Sequence, residues 1–292
     1  MVTAAAVVHG DRDRLLGYSA EEQPVALQLG GSEPLLLAEA VRAALAFGYC
    51  EINLNVGCPS DRVQSGAFGA CLMREPDLVA RCVGAMIEAA DGRAEITAKC
   101  RIGVDEQTPE AALPDFLDRV SAAGVRHFAI HARKAWLEGL SPKQNRDIPP
   151  LDYEIVKRMK AERPDLEIAI NGGVETLDQV EAFLAAGLDG VMVGRAAYHD
   201  PASVLIEADR RIFGESVPQT TAEEAVARML PYIEARLSEG GKLNQITRHM
   251  LTLFQGRPGA RRWRRMCRRS SVLFIGIKRR NGKSSPLCRC RK

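Results

Sequence analysis

No apolar run in the 292 residues approaches the ~18 consecutive residues that a membrane-spanning helix needs. Met1 is followed by Val-Thr-Ala rather than by a basic segment and a cleavable apolar core, so no secretory leader is read and a cytoplasmic protein is expected. The eight cysteines (Cys50, Cys58, Cys71, Cys82, Cys100, Cys267, Cys288 and Cys290) lack both the paired spacing of a zinc site and the density of a disulfide scaffold. Cys288 and Cys290 form a Cys-x-Cys, but no second pair or neighbouring His completes a metal site, and no metal is expected. Acidic residues are missing from one end. Arg257 to Lys292 holds 14 Lys and Arg and no Asp or Glu, which leaves 26 basic against 37 acidic residues before it. The net charge of +3 therefore divides into a body of −11 and a tail of +14. Such an end suits contact with nucleic acid, although blocks of like charge are commonly disordered.

What is present is enough for a sizeable core. With 46% hydrophobic and 26% charged residues, the chain suits one large α/β domain and a small appendage. Short apolar, β-branched runs predict strands at Val25–Leu29, Glu51–Val56, Glu95–Cys100, His127–Ile130, Glu167–Ile170 and Gly190–Val193. Amphipathic stretches between them predict helices over Glu33–Phe47, Asp77–Ala90, Pro109–Ala123, Asp152–Glu162 and Leu177–Ala186. Several of these end at a Gly suited to a left-handed cap: Gly48, Gly124 and Gly187. Repeated βα units predict a parallel sheet or barrel.

Polar or ionisable residues recur at the C-terminal end of each strand: Gln28, Asn53 and Asn55, Lys99 and Arg101, His131 and Arg133, Asn171, and Arg195. In a (β/α)8 TIM barrel these positions form the mouth of the active site. The last two strands run into Asn171-Gly172-Gly173 and Gly194-Arg195, the glycine-rich loops that cradle phosphate after strands seven and eight of many barrels. Counting back from them makes Val25–Leu29 strand three, with only Met1–Val8 left for two strands, so that either the barrel is incomplete or the chain starts inside strand two. Beyond Phe213 the pattern changes to two amphipathic helices, Ala222–Ser238 and Lys242–Phe254, joined at Gly240-Gly241. The expected domains are a catalytic barrel at 1–213, a helical unit at 214–265 and a basic, disordered tail at 266–292.

Asn53-Leu54-Asn55-Val56-Gly57-Cys58-Pro59-Ser60 sets two amides and a thiol just beyond one strand end. Amides offer donor and acceptor edges that match uracil, and a thiol can donate a proton. A packed Cys beside a Pro turn is the competing reading. The surrounding strings are Val-Ala-Leu-Gln28-Leu-Gly-Gly, Lys99-Cys-Arg-Ile-Gly, His131-Ala-Arg-Lys, Asn-Gly-Gly and Gly-Arg. Together they resemble the tRNA-dihydrouridine synthase family, from about Met1 to Arg265. The strings 57–73, 136–153, 194–201 and 247–265 resemble its A subfamily.

That resemblance implies FMN across the barrel mouth, its phosphate on Asn171, Gly172, Gly173, Gly194 and Arg195, and its ring against Gln28, Lys99 and His131. A Lys at the pyrimidine edge of a flavin suits the negative charge that reduction places there. It further implies NADPH as reductant and reduction of the C5=C6 bond of D-loop uridines at positions 20 and 20a of tRNA, with Cys58 as the general acid. Asn55 would read the uracil edge, while Lys143, Arg146, Arg261 and Arg264 would contact tRNA phosphates. Full members of the family begin with a further strand and helix, so the resemblance implies a barrel whose first strand and helix are missing. Residues after Arg265 have no counterpart in it. Three other readings stay open: a tRNA-binding remnant without flavin, an FMN barrel reductase of a free pyrimidine, and a phosphate-binding barrel lyase or isomerase.

Overall fold

The computed structural model describes residues 1–60, 68–216 and 218–268. Seven parallel strands, Val2–Thr3 (β1), Ala26–Gly30 (β2), Glu51–Asn55 (β3), Glu95–Arg101 (β4), His127–His131 (β5), Glu167–Asn171 (β6) and Gly190–Met192 (β7), form one sheet in sequential order. Parallel neighbours in chain order with helical crossovers are the repeat of a (β/α)8 barrel, here with seven strands among the described residues. All six predicted strands are present within two residues of their expected bounds. The seventh lies in the segment before Val25: Val2 pairs with Leu29 and Thr3 with Gly30. Thr3 then turns the chain into Ala4–His9 (α1), because its hydroxyl accepts from Ala6 N at 3.2 Å and caps the helix. This helix and Arg12–Leu16 (α2) are absent from the sequence-based prediction.

Between the strands lie Pro34–Ala46 (α3), Pro76–Ala90 (α4), Pro109–Ala122 (α5), the single turn Gln144–Asp147 (α6), Tyr153–Glu162 (α7) and Leu177–Ala185 (α8). α3, α4 and α5 each start on a Pro, whose missing N–H and fixed φ suit the first helical turn. One face of the sheet is apolar and covered by helices. Ile52, Leu54, Ile96, Ala98, Cys100, Phe128, Ile130, Ile168 and Ile170 are buried in the main core, each large side chain contributing about 1.5–3 kcal/mol. Alternation with a period of two turns Gln28, Asn53, Asn55, Thr97, Lys99, Arg101, His131 and Asn171 to the opposite face. Register groups them into rows: Gln28, Asn53 and Thr97 are neighbours, as are Asn55 and Lys99, and Arg101, His131 and Asn171.

The chain forms two compact units: Met1–Gly173 with Ala182–Met192, and Val174–Glu181 with the described residues from Val193 on. Arg195–His199 (α9) and Pro201–Arg211 (α10), read from sequence as part of the first domain, cluster with the second unit. That unit contains Ala222–Ser238 (α11), Leu243–Thr247 (α12) and Ala260–Arg268 (α13) around Val226, Ile233, Leu243, Phe254, Trp263 and Cys267. A capping box between Thr221 and Glu224 starts α11 where expected.

Two expectations are corrected here. The helix predicted over Lys242–Phe254 is only one turn, α12. The Thr247 hydroxyl is drawn to the carbonyls of Leu243 at 3.1 Å and Cys267 at 2.7 Å, and Trp263 Nε1 takes the Met250 carbonyl at 2.7 Å, so the chain leaves the helix there. Met266, Cys267 and Arg268, expected as the start of the tail, instead complete α13, and Cys267 is buried. The remainder of that tail, with the Cys288 and Cys290 pair, lies outside the described residues.

Candidate functional site

Asn55 ends β3 and folds the following residues over its own side chain. Its Oδ1 accepts from Gly57 N at 3.1 Å and Cys58 N at 3.0 Å, an Asx turn that presents the half-buried Cys58 thiol. The thiol donates to Ser60 Oγ at 3.5 Å, and the Cys58 carbonyl accepts from Ala70 N at 2.9 Å. Asn55 is 8% exposed, and its Nδ2 donates to Gln28 Oε1 at 2.8 Å. Both polar ends of Gln28 are engaged within the sheet, since its Nε2 donates to Asn53 Oδ1 at 2.8 Å.

Arg101 closes the turn from the other side. It is 3% exposed, and its Nε donates to the Gly57 carbonyl at 2.9 Å, while Nη1 donates to Lys134 O at 3.1 Å and Asn145 O at 3.0 Å. The connections after β3 and β5 therefore converge on one guanidinium through three backbone oxygens. Burial lowers its pKa to about 10, with Arg146 and Arg133 adding to the shift and Cys58 opposing it. Asn145 is fully buried and organises its own loop: Nδ2 donates to Trp136 O and Leu140 O, and Oδ1 accepts from Trp136 N at 2.7 Å.

Lys99 lies in the row below Arg101. Its Nζ donates to Asn171 Oδ1 at 3.0 Å, and Asn171 Nδ2 donates to Met192 O at 2.7 Å. Burial lowers the Lys99 pKa from 10.5 to about 8, and the Arg101 charge adds to this. Among the described residues neither Lys99 nor Arg101 has a carboxylate partner. This end of the sheet thus holds two desolvated cations, Lys99 on the Asn171 amide oxygen and Arg101 on three backbone oxygens.

His131 is 7% exposed and abuts the Asn171-Gly172-Gly173 loop. Gly172 has φ +110° and Gly173 φ +68°. A Cβ on Gly172 would stand 2.5 Å from His131 Cδ2, and one on Gly173 2.6 Å from Leu151 Cδ1, so both positions demand glycine. Tyr153 holds the loop by donating to the Gly172 carbonyl at 2.8 Å.

The other expected residues are placed as follows. Lys143 and Arg146 are exposed at α6, on the loop that Asn145 and Arg101 order. Gly194 and Arg195 belong to the second unit, where they open α9 and are exposed. Arg261 and Arg264 lie on α13, whose Trp263 and Cys267 face its core; Arg257, Arg261, Arg262, Arg264 and Arg265 line an open basin there. Sequence reasoning missed Asn145 and Thr97, and saw in Arg101 only a strand-end charge. Among the described residues no helix is long and apolar enough to cross a membrane, and no group of three or more His, Cys, Asp or Glu is arranged to hold a metal ion.

Comparison with known proteins gives one answer. The model of the dihydrouridine synthase (Dus) family matches residues 1–273. The tRNA-dihydrouridine(20/20a) synthase of Synechocystis sp. is 54% identical over 273 residues, which cover 94% of this chain and 80% of that protein. The proteins of the same name from Shewanella oneidensis and Escherichia coli K12 are each 55% identical, over 265 and 266 residues. Both matches cover 91% of this chain, and 78% and 76% of the two relatives.

Proposed function

This chain belongs to the dihydrouridine synthase family, and on that premise we propose that it reduces the C5=C6 bond of uridines 20 and 20a in the D-loop of tRNA, with FMN as cofactor and NADPH as reductant. The observation that carries the reading is the turn that holds Cys58 between Asn55 and Arg101, one strand from the Lys99 ammonium. A cytoplasmic location fits that substrate.

The residues present suit FMN. Gly172 and Gly173, both at positive φ and packed against His131, Leu151 and Tyr153, form the glycine turn after β6 whose backbone N–H groups would take the phosphate. Lys99 lacks a carboxylate partner among the described residues and would complement an electron-rich ring, while Arg101 supports the loops beside it. His131 packs beside the glycine turn and would border the same group. The chemistry that FMN would supply there is a hydride for C6 of the uracil.

The chain's own residues handle the proton and the fit. Cys58 gives its thiol proton to C5 and recovers one from solvent, and Ser60 Oγ orients that proton beforehand. Arg101 keeps the Gly57 carbonyl fixed, so the thiol approaches the base from one direction. Asn55 spends its carbonyl on the turn, which leaves the second Nδ2 hydrogen for a uracil carbonyl. A stacked D-loop base must be splayed out to reach these groups. Lys143 and Arg146, with Arg261 and Arg264 on α13, would orient the tRNA through its phosphates.

Visible absorbance of the purified chain, with any released cofactor identified by chromatography, tests this reading. A flavin spectrum that yields FMN, or uptake of added FMN, is expected. A colourless protein that takes up none would contradict it.

A further inference from the structure

β3 reads Glu-Ile-Asn-Leu-Asn, so Glu51, Asn53 and Asn55 share one face while Ile52 and Leu54 fill the core. Gln28 and Thr97 are the in-register neighbours of Asn53 on that face. The side chains are hydrogen-bonded in a single direction. Gly57 N and Cys58 N donate to Asn55 Oδ1, and Asn55 Nδ2 donates to Gln28 Oε1. Gln28 Nε2 donates to Asn53 Oδ1 and Asn53 Nδ2 to Thr97 Oγ1, both at 2.8 Å; Thr97 Oγ1 donates to Glu51 Oε1 at 2.9 Å.

Both ends require that polarity. A backbone N–H can only donate, so Asn55 must turn its carbonyl towards the Cys58 turn. An ionised carboxylate can only accept, so the Thr97 hydroxyl must point at Glu51. Inverting any amide between them would set donor against donor and acceptor against acceptor. Bonds aligned head to tail also polarise one another away from water, and Asn53, Asn55 and Thr97 are all buried.

We propose that Gln28, Asn53, Thr97 and Glu51 are positioning residues for Cys58: a directional hydrogen-bond relay, anchored on the carboxylate at the far end of β3, that locks the Asn55 carbonyl onto the turn presenting the thiol. Without an acceptor at Glu51, the Thr97 hydroxyl is free to donate to Asn53 instead. The amides can then invert and bring the Asn55 amino group against the N–H groups of Gly57 and Cys58. The turn opens as a result. This gives functional weight to Cys58 because of its role as proton donor, and so rests on the proposed function.

The test needs neither flavin nor turnover, so its outcome is separate from that of the proposed function. Alkylation of each cysteine in the full chain by iodoacetamide is followed by peptide mass spectrometry. Buried Cys82 and Cys100 report unfolding. Thr97→Val and Glu51→Met should each raise the rate at Cys58 about fivefold, the factor associated with one net hydrogen bond. Cys82 and Cys100 should stay unmodified, and Thr97→Ser, which keeps the hydroxyl, should match the parent. Glu51 sits at the exposed start of its strand, so its replacement leaves the core intact. Unchanged Cys58 rates in both variants would overturn the relay, as would a parallel rise at Cys82 and Cys100. A response to Thr97→Val without one to Glu51→Met would remove the carboxylate anchor.

Discussion

The two compact units carry positive charge in opposite ways. In the first, Lys99 and Arg101 are drawn into the sheet end, and Arg101 is bonded to three backbone carbonyls rather than to carboxylates. In the second, α13 buries Trp263 and Cys267 one turn apart and spreads Arg261, Arg262, Arg264, Arg265 and Arg268 around its remaining faces. A buried cation costs desolvation and shapes one reacting site. Exposed guanidiniums are screened singly and act as a field that grips phosphates. Under the proposed function the first set would serve chemistry and the second grip, and substitutions should separate them.

The largest effect is expected at Cys58. Cys58→Ala should lower dihydrouridine formation by about 10²–10⁴-fold, the usual worth of a positioned acid, with tRNA affinity by filter binding unchanged. Next comes Arg101→Lys, because an ammonium cannot span three carbonyls in the plane of a guanidinium. A fall in kcat of about tenfold or more is expected with the KM for tRNA unmoved; a changed KM alone would assign Arg101 to grip. The reverse pattern is expected from Arg261→Ala and Arg264→Ala. Each should weaken tRNA binding and reduce the slope of log K against log salt by about one, with kcat preserved at saturation.

Lys99 gives the smallest and most particular effect. Its folded pKa of about 8 lies below its ordinary 10.5, so the unfolded chain binds more protons between these values. Stability of the flavin-free protein should therefore rise as pH climbs from about 8 to 10.5. Lys99→Met should remove that rise and, at pH 7, raise the melting midpoint by about 2–4 °C per kcal/mol of charge burial relieved. The same variant should retain FMN less well, measured by flavin release on gel filtration. Stability and cofactor retention moving together would contradict the role given to this charge.

Much of this was legible because the signals are local. Apolar, β-branched runs marked six strands, and the asparagines, glycine and thiol of 53–60 marked the turn that the structure shows. Two residues carry no periodicity, so Val2–Thr3 was signalled only by the count of strands, without bounds. The tie made by Arg101 was invisible for another reason: its partners are backbone oxygens 33 and 44 residues away, and no side-chain identity encodes them. Asn145 likewise reads as an ordinary loop amide until its loop is folded around it. The shortened α12 depends on the Cys267 carbonyl, 20 residues from Thr247. Long-range bonds to main chain are the part that one-dimensional pattern withholds.

The most direct test is mass spectrometry of tRNA that lacks dihydrouridine, incubated with the purified chain, FMN and NADPH. Dihydrouridine at positions 20 and 20a, dependent on NADPH and lost in Cys58→Ala, is the predicted result. An unmodified D-loop from protein that has bound both FMN and tRNA would contradict the account.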